Sequence, residues 1–219
     1  MKSLLAAGES ALAQAQRAAA QADAATTIAR ASVTLRAPIL NPGKILCIGL
    51  NYRDHAAESG QAVPDYPTVF VKTNNTVNDP GAPIVLPKNS TQVDYECELG
   101  VVIGRHARHV HRSEALRYVA GYLPFHDVSA RDYQHRTSQW TLGKSFDGFA
   151  PMGPALVTAG EVDDPHSLDI QLTVNGEVLQ RSNTRHLIFP VDVLIEELSS
   201  VMTLEPGDII ATGTPSGVG

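Results

Sequence analysis

The stretch DYECELGVVIG, Asp94 to Gly104, joins an acidic segment directly to an apolar one. Its second half has the composition of a buried strand, in which successive side chains point to opposite faces. Glu96 and Glu98 would therefore share one face, with Cα atoms roughly 6.6 Å apart. A solvated acidic face is the more ordinary interpretation of this pattern, so a ligand site here needs a third polar group.

Asp127, in the segment FHDVSARDYQ, is the candidate for that third group. Three carboxylates with no thiolate among them suit Mg²⁺ or Mn²⁺ better than zinc, with water or a chelating substrate completing the octahedron. Asp is also a preferred residue at a helix N-cap, and the sequence after it resembles the start of a helix. The sequence leaves both roles open.

The segment GLNYRDHAAESG supplies a possible acid–base pair. His55 and Glu58 are three residues apart and lie on the same face if the segment is helical. An imidazole held by a carboxylate is suited to removing a proton at neutral pH. An ordinary surface pair has the same spacing.

Two further segments place polar groups among glycines and prolines. Lys144 lies in WTLGKSFDGFAPMGP, an unusual setting for a solvated lysine. The segment is not a phosphate-binding P-loop, because Ser138 stands where the leading glycine is needed. Thr214 and the N–H groups near Gly213, in ATGTPSGVG, are placed to hold an anion after a strand, although an ordinary tight turn also fits.

The remaining sequence predicts a mixed helical and β-rich chain. Residues 3–24 have high helix propensity, whereas short apolar runs after Val33, such as PIVLP, are separated by Gly, Pro, Asn and Asp as in strands. Asn175-Gly176 in TVNGEVL predicts a hairpin turn. Amphipathic spacing predicts two more helices, SEALRYVAGY at 113–122 and VDVLIEELSSVM at 191–202.

Composition narrows the possible partners. The net charge is -6, and Lys and Arg are scattered, so no basic surface for nucleic acid or anionic membrane is indicated. Cys47 and Cys97 lie in apolar stretches without metal-type spacing, which predicts buried reduced thiols and a cytoplasmic protein. No apolar run approaches transmembrane length. We expect an N-terminal helix and connector at 1–43 and one main domain at 44–219.

Five motifs in order resemble the fumarylacetoacetate hydrolase family over residues 44–219. They are KILCIGLNYRDHAAESG, YECELGVVIG, HDVSARDYQ, GKSFDGFAPMGP and GDIIATGTPSGVG. The resemblance implies an α+β fold, in which a mixed β-sheet rolls into a sandwich-like body with peripheral helices, paired as a homodimer. It also implies a mobile lid at 51–67.

The resemblance assigns roles to residues of these motifs. The family's ligands of a divalent metal, Mg²⁺ or Mn²⁺, correspond to Glu96, Glu98 and Asp127. Its catalytic groups correspond to Lys144 and to a water-activating dyad of His55 and Glu58. Those matching positions that contact substrate are Arg131, Gln134, Gly213 and Thr214.

The implied reaction is hydrolysis of a C–C bond in an acylpyruvate or related β-diketo 2-oxo acid. A metal-dependent lyase or decarboxylase acting on an oxaloacetate-like or sugar-derived 2-oxo acid is the alternative within the family, and a catalytically silent metal-binding module is the alternative outside it. The sequence departs from the family at His126, where Asn is common. Members usually continue with more strands past the position of Gly219, so a fragment of a longer domain is one expectation.

Overall fold

A computed structural model describes all residues, 1–219, of the chain. It contains seven α-helices. They are α1 (Lys2–Ala6), α2 (Gly8–Ala20), α3 (Arg53–Glu58), α4 (Arg112–Ala115), α5 (Arg131–Gln134), α6 (Thr141–Lys144) and α7 (Val191–Val201). Short 3₁₀ turns lie at Arg30–Ser32, Asn74–Thr76, Leu116–Tyr118, Ala159–Glu161 and Thr184–His186. None of the α-helices combines the length and hydropathy needed to cross a bilayer.

The chain has twelve strands. They are β1 (Ile45–Gly49), β2 (Thr68–Lys72), β3 (Val77–Asn78), β4 (Val93–Asp94), β5 (Cys97–Ile103), β6 (Val119–His126), β7 (Ser129–Ala130), β8 (Ala150–Pro151), β9 (Val157–Thr158), β10 (Asp169–Val174), β11 (Glu177–Asn183) and β12 (Ile209–Ala211). Six of them form the main sheet in the order β2-β1-β12-β5-β6-β9, and the others form three two-stranded sheets. Within the main sheet, β1 and β12 pair in parallel and every other neighbouring pair is antiparallel, so this sheet is mixed. The predicted α+β class is confirmed.

Both faces of the main sheet are buried, and strand alternation explains how. Val101 and Ile103 of β5 pack in a cluster with the apolar side of α7, while Val102 between them belongs to a second cluster. That second cluster includes Leu5 of α1, which covers the opposite face. Glu98 lies four residues before Val102 in β5 and therefore on the same face, which leads from the apolar core to the polar site described below.

Several sequence predictions are confirmed. Asn175 and Gly176 have φ values of 52° and 86° and join β10 to β11, as the turn signal predicts. The helix predicted at 191–202 is α7. Both cysteines are buried and free.

Three other predictions of helices and strands are wrong. The predicted N-terminal helix divides at Ala7 and ends at Ala20. The helix predicted at 113–122 stops after one turn, because the residues from Val119 onward pair with β5 as β6. The run PIVLP is not a strand, and its Val85 and Leu86 are exposed. Proline donates no ladder hydrogen bond, so the prolines bounding this run disfavour strand pairing.

Candidate metal and active site

Three carboxylates converge where β5 and β6 lie side by side. Ligand oxygens of Glu96, Glu98 and Asp127 lie within 4.8 Å of one another, and all three residues are buried. The pairing of Cys97 with His126 brings the two strand ends together, and the Asp127 N–H donates to the Glu96 carbonyl at 3.0 Å. The convergence inferred from strand alternation is therefore present in the structure.

Asp127 does not cap a helix. It follows β6 directly, whereas α5 begins only at Arg131, with Ala130 at its N-cap and no side-chain cap. The Asp127 carboxylate instead accepts hydrogen bonds from two buried lysines, so the helix-cap interpretation is wrong.

Lys144 lies between two of the carboxylates. Its Nζ donates to Glu96 Oε2 at 2.8 Å and to Asp127 Oδ2 at 2.9 Å, with the side chain 2% exposed. Burial lowers the pKa of Lys144, but the Asp127 and Glu96 carboxylates outweigh it and raise the pKa above its ordinary value. Gly143 makes this position possible, because a Cβ there would lie 2.5 Å from the Gln134 backbone nitrogen.

Lys72 is a second buried lysine, which sequence analysis missed. Its Nζ donates to Asp127 Oδ1 at 2.5 Å and to the Val128 carbonyl at 3.0 Å, and its side chain is fully buried. The signal was present, since strand alternation in TVFVK puts Lys72 on the same face as Phe70, which lines the site. A charged residue at the inward-facing end of such a strand is the sequence signal of this role.

Glu98 has no cationic partner. Its Oε2 accepts a hydrogen bond from the Gly213 N–H at 2.9 Å, and it forms no ion pair. Burial, followed by the negative charges of Asp127 and Glu96, raises the pKa of Glu98 well above its usual range. A buried carboxylate left without a cation is costly. This all-oxygen donor set therefore fits a divalent cation, held by Glu96, Glu98 and Asp127.

Arg131 and Gln134, both predicted to contact substrate, lie beside the cluster on α5. The Arg131 guanidinium donates to Asp94 Oδ2 at 2.6 Å, to Glu96 Oε1 at 2.6 Å and to Gln134 Oε1 at 2.8 Å. Its donors are thus engaged within the protein, and Arg131 also orients Glu96. Both residues still line the central cavity.

His55 and Glu58 form the expected pair on one face of α3. His55 Nδ1 lies 3.3 Å from Glu58 Oε2, and the Gly217 N–H donates to Glu58 Oε1 at 3.0 Å. Because Nδ1 contacts Glu58, Nε2 is the ring nitrogen that is free to accept a proton from a ligand in the cavity. His55 lines the same cavity as Glu96, Glu98 and Lys144, so an acid–base group and a carboxylate cluster share one space.

The Thr214 hydroxyl is less available to a substrate than the resemblance implies. Its hydroxyl donates to the Cys97 carbonyl at 2.9 Å and accepts from Gln180 Nε2 at 2.8 Å, so its hydrogen bonds hold the loop that carries Gly213. Gln180, also missed in the sequence, accepts a bond from the Cys97 N–H at 2.9 Å. A lone glutamine on a hairpin gives no sequence signal of such a role.

The central cavity has a volume of about 730 Å³. Besides the charged groups, Phe70, Tyr95 and Trp140 line its walls. The Phe70 ring centroid lies 5.0 Å from Lys144 Nζ and 5.5 Å from the Trp140 ring. An aromatic wall beside fixed polar groups is typical of a small-molecule site.

Residues 44–219 match the C-terminal domain family of fumarylacetoacetate (FAA) hydrolase. The chain therefore belongs to the fumarylacetoacetate hydrolase family, as the motifs predict. It is 48% identical over 189 residues to oxaloacetate tautomerase Fahd2a, mitochondrial, of Rattus norvegicus. It is 52% identical over 195 residues to a fumarylacetoacetate hydrolase domain-containing protein 2 homolog of Dictyostelium discoideum.

These alignments cover 86% and 84% of this chain but 60% and 64% of the two relatives, so the chain spans less than two thirds of their length. Among solved structures, it resembles maleylpyruvate hydrolase from Sphingobium sp. SYK-6, crystallised with manganese (II) ion and pyruvate. That likeness has a TM-score of 0.85 at 34% identity and covers 100% of this chain and 76% of the other.

Proposed function

We propose that the chain carries the active site of a divalent-metal-dependent enzyme that interconverts the keto and enol forms of an oxaloacetate-like 2-oxo acid. The observation that carries the proposal is the cavity shared by His55, Glu96 and Glu98, the last two of which form the carboxylate cluster with Asp127 behind the cavity wall. The name of the rat relative supports the choice of reaction.

Mg²⁺ or Mn²⁺ held by the three carboxylates would supply positive charge to the carboxylate and 2-oxo oxygens of the substrate, which acidifies the neighbouring C–H group. Lys144 adds a permanent positive charge beside the same cluster. Such fixed charges stabilise a developing enolate more than the neutral ketone.

His55 performs the proton transfer in this proposal. Its Nε2 takes the C3 proton of the keto acid, while Glu58 holds Nδ1 and stabilises the charged ring. The protonated His55 ring then gives this proton to the enolate oxygen, which regenerates the neutral imidazole, so the keto and enol forms interconvert with no net gain or loss of atoms.

Hydrolysis of an acylpyruvate is the second candidate. Here His55 takes a proton from water, the water oxygen attacks the distal carbonyl, and the C–C bond breaks to give a carboxylic acid and pyruvate enolate, which takes up the proton. The His55–Glu58 pair favours this reaction over decarboxylation, which needs no attacking water. The structural likeness to a maleylpyruvate hydrolase also supports it.

Two assays run in parallel distinguish these reactions. One follows the ultraviolet absorbance of oxaloacetate enol with Mg²⁺ and protein, against Mg²⁺ alone. The other measures pyruvate released from a panel of acylpyruvates. Accelerated loss of the oxaloacetate enol in the first assay, with no pyruvate released in the second, supports the tautomerase. Release of pyruvate from an acylpyruvate supports the hydrolase. A protein that accelerates neither reaction would refute both proposals.

A further inference from the structure

A second cavity, of about 600 Å³, lies between α3 and the β10–β11 hairpin and shares no lining residue with the first. Its walls contain only polar and charged side chains. The cavity opens at the surface and is lined by Arg53 of α3, Arg181 of β11, and Arg185 and His186 of the 3₁₀ turn after β11, all four of which are exposed. Three separate positions of the chain thus bring guanidinium groups to one space.

These three arginines differ from the other arginines of the folded body. Between residues 36 and 185, every other arginine contacts a carboxylate, a backbone carbonyl or an aromatic ring. Those with such a partner are Arg36, Arg105, Arg108, Arg112, Arg117, Arg131 and Arg136. In a chain of net charge -6, Arg53, Arg181 and Arg185 have no ion pair, and all three line this cavity.

The buried side chain of Asn183 positions the guanidinium group of Arg185. Asn183 is 7% exposed, and its Oδ1 accepts from the Arg185 N–H at 3.0 Å and from Arg185 Nε at 2.9 Å. This contact fixes Arg185 while leaving both terminal nitrogens free to donate. A planar guanidinium held in this way is prepared for paired hydrogen bonds to a carboxylate or phosphate.

The two aspartates of the cavity wall bond to other groups. Asp169 Oδ1 accepts from Asn183 Nδ2 at 2.7 Å. Asp54 accepts from the His55 N–H at 2.8 Å and from the Ser216 hydroxyl at 3.1 Å. Three arginines against two aspartates leave an excess of one positive charge, before any contribution from His186.

Backbone pairing holds the two sides of the cavity together. Tyr52, next to Arg53, forms an isolated antiparallel bridge with Leu187, which follows the 3₁₀ turn. The Asn51 carboxamide bonds to both the N–H and the carbonyl of Phe189 at 2.8 and 3.0 Å. Arg53 and Arg185 therefore project from two segments of fixed relative position.

We propose that this cavity binds a small polyanion with carboxylate or phosphate groups, which Arg53, Arg181 and Arg185 hold by charge-assisted hydrogen bonds. The ligand joins α3 to the hairpin and lies apart from the carboxylate cluster. A volume of about 600 Å³ accommodates a molecule of small-metabolite size.

The test is an NMR titration of the ¹⁵N-labelled chain, with Mg²⁺ present, using inorganic phosphate in one arm and tricarballylate in the other. Potassium chloride keeps the ionic strength constant. We expect saturable shifts of amide and arginine Nε–H signals at 53 and 181–186, with Kd below about 1 mM for at least one probe. The arm that saturates at lower concentration identifies the preferred anionic group.

Arg181→Gln and Arg185→Gln should each raise Kd by about tenfold or more, the scale of one charge-assisted hydrogen bond. Arg117→Gln is the matched control, because Arg117 pairs with Glu114 on the surface outside this cavity. Circular dichroism confirms that each variant is folded. Shifts confined to the carboxylate-cluster cavity, no saturation with either probe, or unchanged affinity in both cavity variants would overturn the proposal.

Discussion

Lys72 and Asp127 form an ion pair in the interior, with Nζ 2.5 Å from Oδ1 and both side chains completely buried. Lys144 contacts the other oxygen of the same carboxylate at 2.9 Å. Burial raises the pKa of Asp127, but Lys144 and then Lys72 outweigh it and lower the pKa below its ordinary value. Asp127 is therefore kept ionised, as a metal ligand must be.

Replacing Lys72 tests how far this ion pair stabilises the fold. Lys72→Met leaves a buried carboxylate with one lysine, and removal of one partner of a buried pair costs about 3–5 kcal/mol. We expect that loss in the free energy of unfolding from urea denaturation. Lys88→Met, at an exposed lysine without an ion pair, is the control. Equal stability of the two variants would show that Lys72 contributes nothing.

Glu98→Gln and Cys97→Ser test the face assignment on neighbouring residues of β5. Glu98→Gln removes a proposed ligand and should weaken Mg²⁺ or Mn²⁺ binding by more than about 100-fold, since even groups behind the ligands contribute 10–100-fold. Cys97→Ser should leave affinity nearly unchanged and lower Tm, because it buries a hydroxyl. Calorimetric metal titrations giving the reverse order would contradict the assignment.

The buried thiols should be unreactive in the folded protein. Burial raises the pKa of Cys97 to about 12, and burial raises the pKa of Cys47 well above its usual range. Mass spectrometry after iodoacetamide treatment at pH 8 should show no adduct until urea is added. Native labelling at the rate of a free thiol would contradict this.

The same pKa shift makes stability depend on pH. The native state keeps the Cys97 proton above about pH 8.5, where an unfolded thiol loses it. The folded state then binds more protons, so the contribution of Cys97 to the free energy of unfolding falls as pH rises from about 8.5 to about 12.

The alternation of side chains along strands and the residue preferences of turns account for most of the sequence-based predictions that the structure confirms. The shared face of Glu96 and Glu98 at the start of β5, the hairpin turn at Asn175-Gly176 and α7 each follow from a local pattern that the structure preserves. The segment from Val119 differs, because tertiary pairing with β5 overrides a helix-like spacing of apolar residues. Local patterns do not reveal which strand lies beside them.

Partners of the site residues were harder to predict. The resemblance implies that Arg131 contacts substrate, but its contacts with Asp94 and Glu96 depend on where β4 and α5 lie in three dimensions. Lys72 reaches Asp127 across 55 positions of the chain. Such long-range ion pairs follow from sheet topology, which motif spacing does not specify.

His55→Ala tests the acid–base role separately from metal binding. Loss of a positioned base should lower the rate of oxaloacetate tautomerisation, or of acylpyruvate hydrolysis, by about 10²–10⁴-fold. Metal affinity should stay unchanged, because His55 contacts none of the three carboxylates. His106→Ala, at an exposed histidine, is the control. An unimpaired rate in His55→Ala would exclude the proposed role of the dyad.

The central claim is that Glu96, Glu98 and Asp127 hold the divalent cation on which turnover depends. The most direct measurement is the rate with whichever substrate the wild type accepts, before chelation, after complete removal of divalent metal, and after Mg²⁺ or Mn²⁺ is added back. We expect the rate to fall to the uncatalysed level on metal removal and to return on addition. Full activity in a preparation shown by elemental analysis to be metal-free would contradict the account.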